Sequence, residues 1–459
     1  MLPAAVVDYL DSHKQQNLDA LVELLRFASI ANVSGPDDEC DKAARWLNQR
    51  LEGMGLQSEV LATEGKPVVL AEAKVAPSAP TLLIYGHYDV QPADPLDLWD
   101  SPPFEPVVRD GKIFARGAND DKGQLFTHLM AVDAYMRTGG LPINIKIILE
   151  GEEEIGSPHM EAFIDAHRDR LACDAVVISD SEFFARNVPS ITYGLRGMGG
   201  AEVVFRGPEM DLHSGLYGGV VQNPIHALAQ LIAGLHDADG SITIDGFYDG
   251  VMEVTDDERR LWKKLPIDEH QVAESVGVDQ LTAGEKGIEM LERQWARPTL
   301  DCNGIIGGFT GEGRKTVLPA EARAKLSFRI APGQDPSKLA AAFERHVKQH
   351  TPAGIRSEVW ATGDAKAVLL PIDSPFVQAA AGALKDAFGH DVAFIRCGAT
   401  VPITEMFQRL LGVEPVMMGF GLPDDRIHSP NEKFDLCQLY NGALASAAFI
   451  SGLSSLRQL

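Results

Sequence analysis

The stretch INIKIILEGEEEIGS (143–157) decides how this chain is to be read. "INIKIIL" is an apolar run of strand length, the pattern of a strand buried on both faces. Directly after it, four carboxylates (Glu150, Glu152, Glu153 and Glu154) fall within five positions. Like charges packed this closely repel one another, and a strand end half-covered by protein screens them poorly. A source of positive charge has to stand nearby, and the rest of the chain has to supply or hold it.

Working outward, "VVLAEA", "TLLIYG" and "AVVISD" are further short β-rich runs, and they alternate with helical periodicity at about 5–30, 38–54 and 122–138. Strands alternating with helices imply an α/β domain with a mostly parallel sheet covered on both faces. After about residue 190 the pattern changes: "AEVVFRG", "GIIGGF", "AKLSFRI" and "IRSEVWA" read as strands, with helices from "NPIHALAQLIAGL" and "PSKLAAAFERHVKQ". That is a small α+β domain of roughly four strands and two helices, interrupted by a polar helical insertion near 253–296. From about 374 the first style resumes, with helix "SPFVQAAAGALKDAF", strands "DVAFIR" and "PVMMGF", and a closing helix at 437–456. The expected organisation is a domain built from 1–190 and 371–459, with 191–370 inserted in it. At 459 residues the chain is long for a single core.

Composition narrows the function. The net charge of −24 repels phosphate backbones and anionic lipid, and no basic cluster offsets it, which argues against nucleic acid and membrane surfaces as partners. No window approaches the roughly 20 apolar residues of a membrane span, and the N-terminus lacks the pattern of a signal peptide. Five scattered cysteines without CxxC spacing suit a reducing cytoplasm better than a disulfide framework.

In open α/β sheets ligands gather beyond the carboxyl ends of the strands, and metal-binding side chains fall at those places. "TLLIYG" leads to His87 and Asp89, "INIKIIL" to Glu153 and Glu154, and "AVVIS" to Asp180. "PVMMGF" is followed shortly by His428, and Asp120 lies in "ARGANDDKGQ", where a loop feeds the 122–138 helix. Singly, each has a bland explanation as a turn residue, a solvated acid or a helix cap. Together they read as a metal site.

The stretches "YGHYDVQP", "ARGANDDKG", "LEGEEEIGS", "ISDSEF", "DLHSGLYGG" and "HSPNEKF" resemble the zinc exopeptidases that include carnosinase, cytosolic non-specific dipeptidase, succinyl-diaminopimelate desuccinylase and acetylornithine deacetylase. "DLHSGLYGG" looks closest to the dipeptidase branch. The resemblance covers nearly the whole chain. It implies an inserted two-layer, ferredoxin-like domain serving as lid and dimerisation unit, and a site for two divalent ions. Asp120 would bridge both ions, His87 and Asp180 would complete one site, and Glu154 and His428 the other. Zinc suits this donor set, and manganese and cobalt accept similar ligands. Three ligand carboxylates and one bridging hydroxide carry −4, which balances two divalent cations and answers the opening question.

The implied activity is hydrolysis of the amide bond of dipeptides or short peptides. A metal-bridged hydroxide attacks, Glu153 is general base and then acid, and Asp89 orients His87. The Asp120–Asp121 peptide is cis in relatives. In the inserted domain, the alternation of "AKLSFRI" sets Arg329 opposite the apolar face; by resemblance it clamps the substrate carboxylate, a task suited to a planar fork. His213 would be an oxyanion donor reaching the neighbouring subunit of a homodimer, and Thr316 and Thr400 match positions that touch substrate. Glu150 and Glu152 have no assigned chemistry and are expected in solvent or behind the ligands; the 253–296 insertion has no assigned role. Two rival readings stand beside the dipeptidase: an N-acyl amino-acid deacylase of the same chemistry, and a non-catalytic cation-binding protein.

Overall fold

The computed structural model describes residues 2–33, 35 and 38–456. It divides into two compact units: Met1–Tyr193, Leu370–Ile395 and Ile403–Leu459 form the first, and Gly194–Leu369 with Arg396–Pro402 the second. The short 396–402 segment, which the sequence reading leaves in the last piece of the chain, is thus part of the second unit.

The main sheet of the first unit runs, from its edge, through Gln57–Leu61, Val68–Ala73, Asn144–Glu150, Thr81–His87, Ala175–Ile178, Pro415–Met417 and Ser190–Leu195. The expected parallel pairing holds at the centre, where Thr81–His87 lies between Asn144–Glu150 and Ala175–Ile178, and Pro415–Met417 joins the latter. The flanking pairs are antiparallel. Central strands follow the rule for strands covered on both faces: Ile145, Ile147, Ile148, Leu149, Ile84 and Val177 are all fully buried. Helix Lys122–Thr138 is buried almost all round as far as Tyr135, so it is a core helix and not a surface one. It ends before Gly139 and Gly140, the second of which takes a left-handed φ of 91°. The helix expected at 5–30 is two, Ala4–Ser12 and Lys14–Leu25, broken at His13, whose ring contacts the Tyr9 carbonyl at 2.9 Å. Helix Pro402–Leu411 is an element the sequence reading did not contain. Among the described residues no helix is long and apolar enough to cross a membrane.

The second unit is a four-stranded antiparallel sheet in the order Thr299–Gly307, Glu321–Ile330, Gly197–Arg206, Arg356–Ala365. Helices Pro224–Ala233 and Pro336–Gln349 supply Leu228, Leu231, Leu339 and Phe343 to a core shared with Val203, Phe205, Leu326 and Phe328 of the strands. The alternation read in "AKLSFRI" is seen directly: Ala324, Leu326, Phe328 and Ile330 are buried, and Lys325, Ser327 and Arg329 are not. Within the 253–296 stretch lie three short helices, Asp256–Trp262, Glu269–Ser275 and Met290–Trp295. Trp262 and Trp295 meet edge to face at 5.2 Å, and Arg259 makes two 2.9 Å bonds to Glu292, which ties the first helix to the third.

Candidate metal centre

Parallel pairing of the central strands aligns their carboxyl ends, with His87 directly beside Glu150. His87 is the last residue of its strand, and Glu153 and Glu154 open a 3-10 turn three residues past the end of the next. Asp180 lies two residues beyond Ala175–Ile178. His428 follows the Pro415–Met417 strand in a loop where it adopts a φ of 57°, and Asp120 sits just ahead of the 122–138 helix. The Asp120–Asp121 peptide bond is cis.

These side chains converge. Asp120 turns its two oxygens to two different histidines, Oδ1 at 3.0 Å from His87 Nε2 and Oδ2 at 2.9 Å from His428 Nε2. Glu154 Oε2 is 3.2 Å from the same His428 nitrogen. Ligand atoms of His87, Glu153 and Asp180 fall within 4.8 Å of one another, and those of Asp120, Glu154 and His428 do likewise. Glu153, which the sequence reading sets apart from the ligands, therefore stands in the same group as His87 and Asp180.

The electrostatics follow from crowding. Burial, helped by the charge of Asp120, pushes Asp180 up to about 7. Burial also raises Glu153 well above the carboxylate range, although His87 opposes it. For Asp120 burial is outweighed by its bonds to His428 and His87, which hold its carboxyl below the usual range. His428 is pushed up to about 10 by Asp120 and Glu154, and His87 is raised despite burial by Asp120 and Asp89. Acids that resist ionising and imidazoles that hold protons both move toward less negative charge. Two adjoining groups of one imidazole and two carboxylates each fit a pair of divalent cations.

A set of buried and half-buried groups fixes the donors. Asp89 Oδ1 is 3.3 Å from His87 Nδ1, and its oxygens accept the backbone N–H groups of Glu153 (3.2 Å) and Glu154 (3.0 Å). One carboxylate thus orients the imidazole, leaving Nε2 toward Asp120, and pins the acidic turn. Asp121 accepts the backbone N–H of His87 at 3.2 Å. Two supports escaped the sequence reading. Glu432 accepts the N–H groups of Gly117, Asn119 and Asp120 at 2.9–3.1 Å and pairs with Arg116 at 2.8 Å, so it shapes the loop that presents Asp120. Gln91 donates to Glu154 from its backbone and from its side chain, the latter at 2.7 Å. Both belong to quoted motifs, yet nothing local marks them, because their partners are distant in sequence or beyond a turn. Glu150 and Glu152 are buried, not solvated: Glu150 accepts from Tyr85 and Ser157, and Glu152 lies 2.6 Å from His159.

The remaining candidates lie in the second unit. His213 pairs with Val317 in a two-stranded ladder beside Thr316, whose carbonyl accepts from the Ser214 backbone. The His213 side chain is exposed and accepts the Gly215 N–H at 3.0 Å. Arg329 Nη1 donates to Thr400 Oγ1 at 2.8 Å, so these two are brought together.

Comparison with known proteins places the chain in a family. Residues 83–452 match the model of peptidase family M20/M25/M40. A Cys-Gly metallodipeptidase of Saccharomyces cerevisiae is 32% identical over 97% of this chain and 97% of its own length. The human Beta-Ala-His dipeptidase is 34% identical over 85% of this chain and 78% of its own. The crystal structure of a metallo-carboxypeptidase from Sulfolobus solfataricus superposes with a TM-score of 0.87 at 33% identity, covering 96% of this chain and 100% of that one.

Proposed function

The chain belongs to peptidase family M20/M25/M40, and from that premise we propose that it is a dinuclear metallo-dipeptidase that hydrolyses the amide bond of dipeptides or short peptides. The observation that carries this reading is the carboxylate of Asp120, whose two oxygens face His87 and His428 separately and so join two imidazole–carboxylate groups into one centre.

His87, Asp120 and Asp180 would hold one cation, and Asp120, Glu154 and His428 the other. When bound, the two cations lower the pKa of water and polarise an amide carbonyl. Glu153 supplies the proton chemistry: it stands among the donor groups, burial raises it above the ordinary carboxylate range, and it takes a proton from water and returns it to the departing amine. Asp89 keeps His87 in the tautomer that presents Nε2 and keeps Glu153 in register with it. Arg329, held by Thr400, offers its fork to the substrate's terminal carboxylate, while His213 and Thr316 serve the oxyanion and the substrate backbone.

Zinc as the resident metal, a homodimer through the second unit and a cytoplasmic location belong to the same proposal. Imidazole and carboxylate donors support zinc. The exposed Leu216, Tyr217 and Val220 next to His213 support a partner there, and five free cysteines support a reducing compartment. If His213 serves the neighbouring copy, mixing the inactive variants His213→Ala and Glu153→Gln should restore part of the activity; no recovery in a proven mixed dimer would sink that role.

The main test is metal analysis of the purified protein with a substrate panel. We expect two equivalents of divalent metal and turnover of dipeptides. Turnover of N-acetyl or N-succinyl amino acids without dipeptides would move the assignment to a deacylase, and bound metal without any turnover would leave only a cation-binding protein.

A further inference from the structure

Behind Arg329 stands a second arginine, Arg196, which forms no ion pair with an acid among the described residues. Arg196 immediately precedes the Gly197–Arg206 strand and is 8% exposed. Its Nε donates to the Gly398 carbonyl at 3.0 Å and its Nη1 to the Arg297 carbonyl at 3.2 Å. Its own carbonyl accepts the Thr400 hydroxyl at 2.7 Å, and that hydroxyl oxygen accepts from Arg329. Among the described residues neither Arg196 nor Arg329 forms an ion pair with a carboxylate. Burial, and after it the charge of Arg329, pushes the Arg196 guanidinium down to about 10. Carbonyl oxygens solvate an arginine without cancelling its charge, so the two cations stay available to an anion.

Part of the surroundings of Arg196 comes from the 253–296 insertion and the residue after it. A methyl group on Gly398 would stand 2.7 Å from the Gln294 carbonyl and 2.9 Å from Arg196 Nη2, so the loop fits here only without a side chain. Arg396 pairs with Glu258, which shares a capping box with Thr255 at the start of the Asp256–Trp262 helix. The 396–402 segment is thereby gripped by Arg196 on one side and by the insertion on the other.

We propose that Arg196 is a positioning residue of the carboxylate subsite, holding the 396–402 segment and, through Thr400, presetting Arg329 for substrates with a free C-terminal carboxylate. The insertion is the frame that keeps Arg196 in place. This rests on the reading of Arg329 as the carboxylate clamp.

The experiment compares one dipeptide with its C-terminal amide, using the metal-loaded full chain. A wild-type preference for the acid that disappears in Arg329→Met establishes the clamp independently; if that variant keeps the preference, the clamp reading fails and this proposal falls with it. With the clamp established, Arg196→Met should raise KM for the acid and lower the acid-to-amide ratio of kcat/KM by ~10- to 100-fold, the size expected for losing a hydrogen bond to a charged group. Arg196→Lys should recover part of the ratio. Gly398→Ala, which displaces Arg196 without removing it, should lower it as well. An unchanged ratio in Arg196→Met, or an equal loss on both substrates, overturns the proposal.

Discussion

In the first unit, Asp120, Glu153, Glu154 and Asp180 crowd around two imidazoles, and among the described residues none of the four pairs with a lysine or arginine. In the second, the charge of Arg329 bears on Arg196, and among the described residues the two arginines bond to carbonyl and hydroxyl oxygens and to no carboxylate. Elsewhere two buried cations are matched by acids: Arg116 has Glu432 at 2.8 Å, and Lys433 has both Asp425 and Asp435. Matched pairs close on themselves and hold structure. In the proposed reading, the unmatched groups of these two clusters keep their charge for a ligand of opposite sign, a cation in one unit and a carboxylate in the other.

The largest effect that bears on this contrast is removal of cations. Stripping divalent metal with a chelator should abolish turnover and lower the thermal unfolding temperature, because the acids lose their counter-charge; zinc or manganese should restore both. Full activity in protein shown by elemental analysis to be metal-free would break the comparison at its first term. Next in size is Glu153→Gln, which should lower kcat by ~10²- to 10⁴-fold while metal content stays at two equivalents. Retained activity would show that Glu153 only adds charge to the group it shares with His87 and Asp180.

Glu432 sharpens the contrast from the matched side. Replacing it with Gln leaves the Asp120 loop with a weaker acceptor and should cost ~10- to 100-fold in metal affinity, read by competition with a chromogenic chelator. The smallest effect concerns a buried group that needs no ligand. His128 lies 2.7 Å from Ser446 Oγ and 2.6 Å from Ser179 Oγ, and burial pushes it down from 6.5 to about 3. The unfolded chain then takes up the proton first as pH falls, so the stability His128 contributes is complete above about 6.5 and drains away toward 3. At pH 4.5 that amounts to ~2–3 kcal/mol. Urea denaturation of wild type and His128→Gln at pH 7 and pH 4.5 should show a shallower acid loss in the variant, and parallel losses would show that His128 is not held neutral.

Much of the centre was legible because its residues sit at strand ends, where an apolar run stops and a polar side chain begins. His87, Glu153, Glu154 and Asp180 all follow such runs, and the parallel pairing of those runs is itself readable from their Val, Ile and Leu content. Asp120 and His428 lie in loops; their places ahead of a helix and shortly after a strand make them candidates, and the motif resemblance supplies their ligand roles. Glu432 and Arg196 were not reached. Glu432 acts on a loop more than 300 residues earlier, and Arg196 acts through carbonyls, which any residue type can offer. The small shift of 396–402 into the second unit has the same origin: Arg396 and Glu258, which tie that segment to the insertion, are 138 positions apart.

By itself the sequence determined where most strands and helices lie, which runs are buried on both faces and which acids and imidazoles stand at strand ends, because hydrophobic period and local charge are properties of neighbours along the chain. Tertiary structure alone decided that Asp120 shows one oxygen to each histidine, that Glu432 moulds its loop, and that Arg196 and Arg329 meet around Thr400 with no ion-paired acid among the described residues. Those outcomes depend on which remote groups come within hydrogen-bond reach, and burial then sets how much each charge is worth.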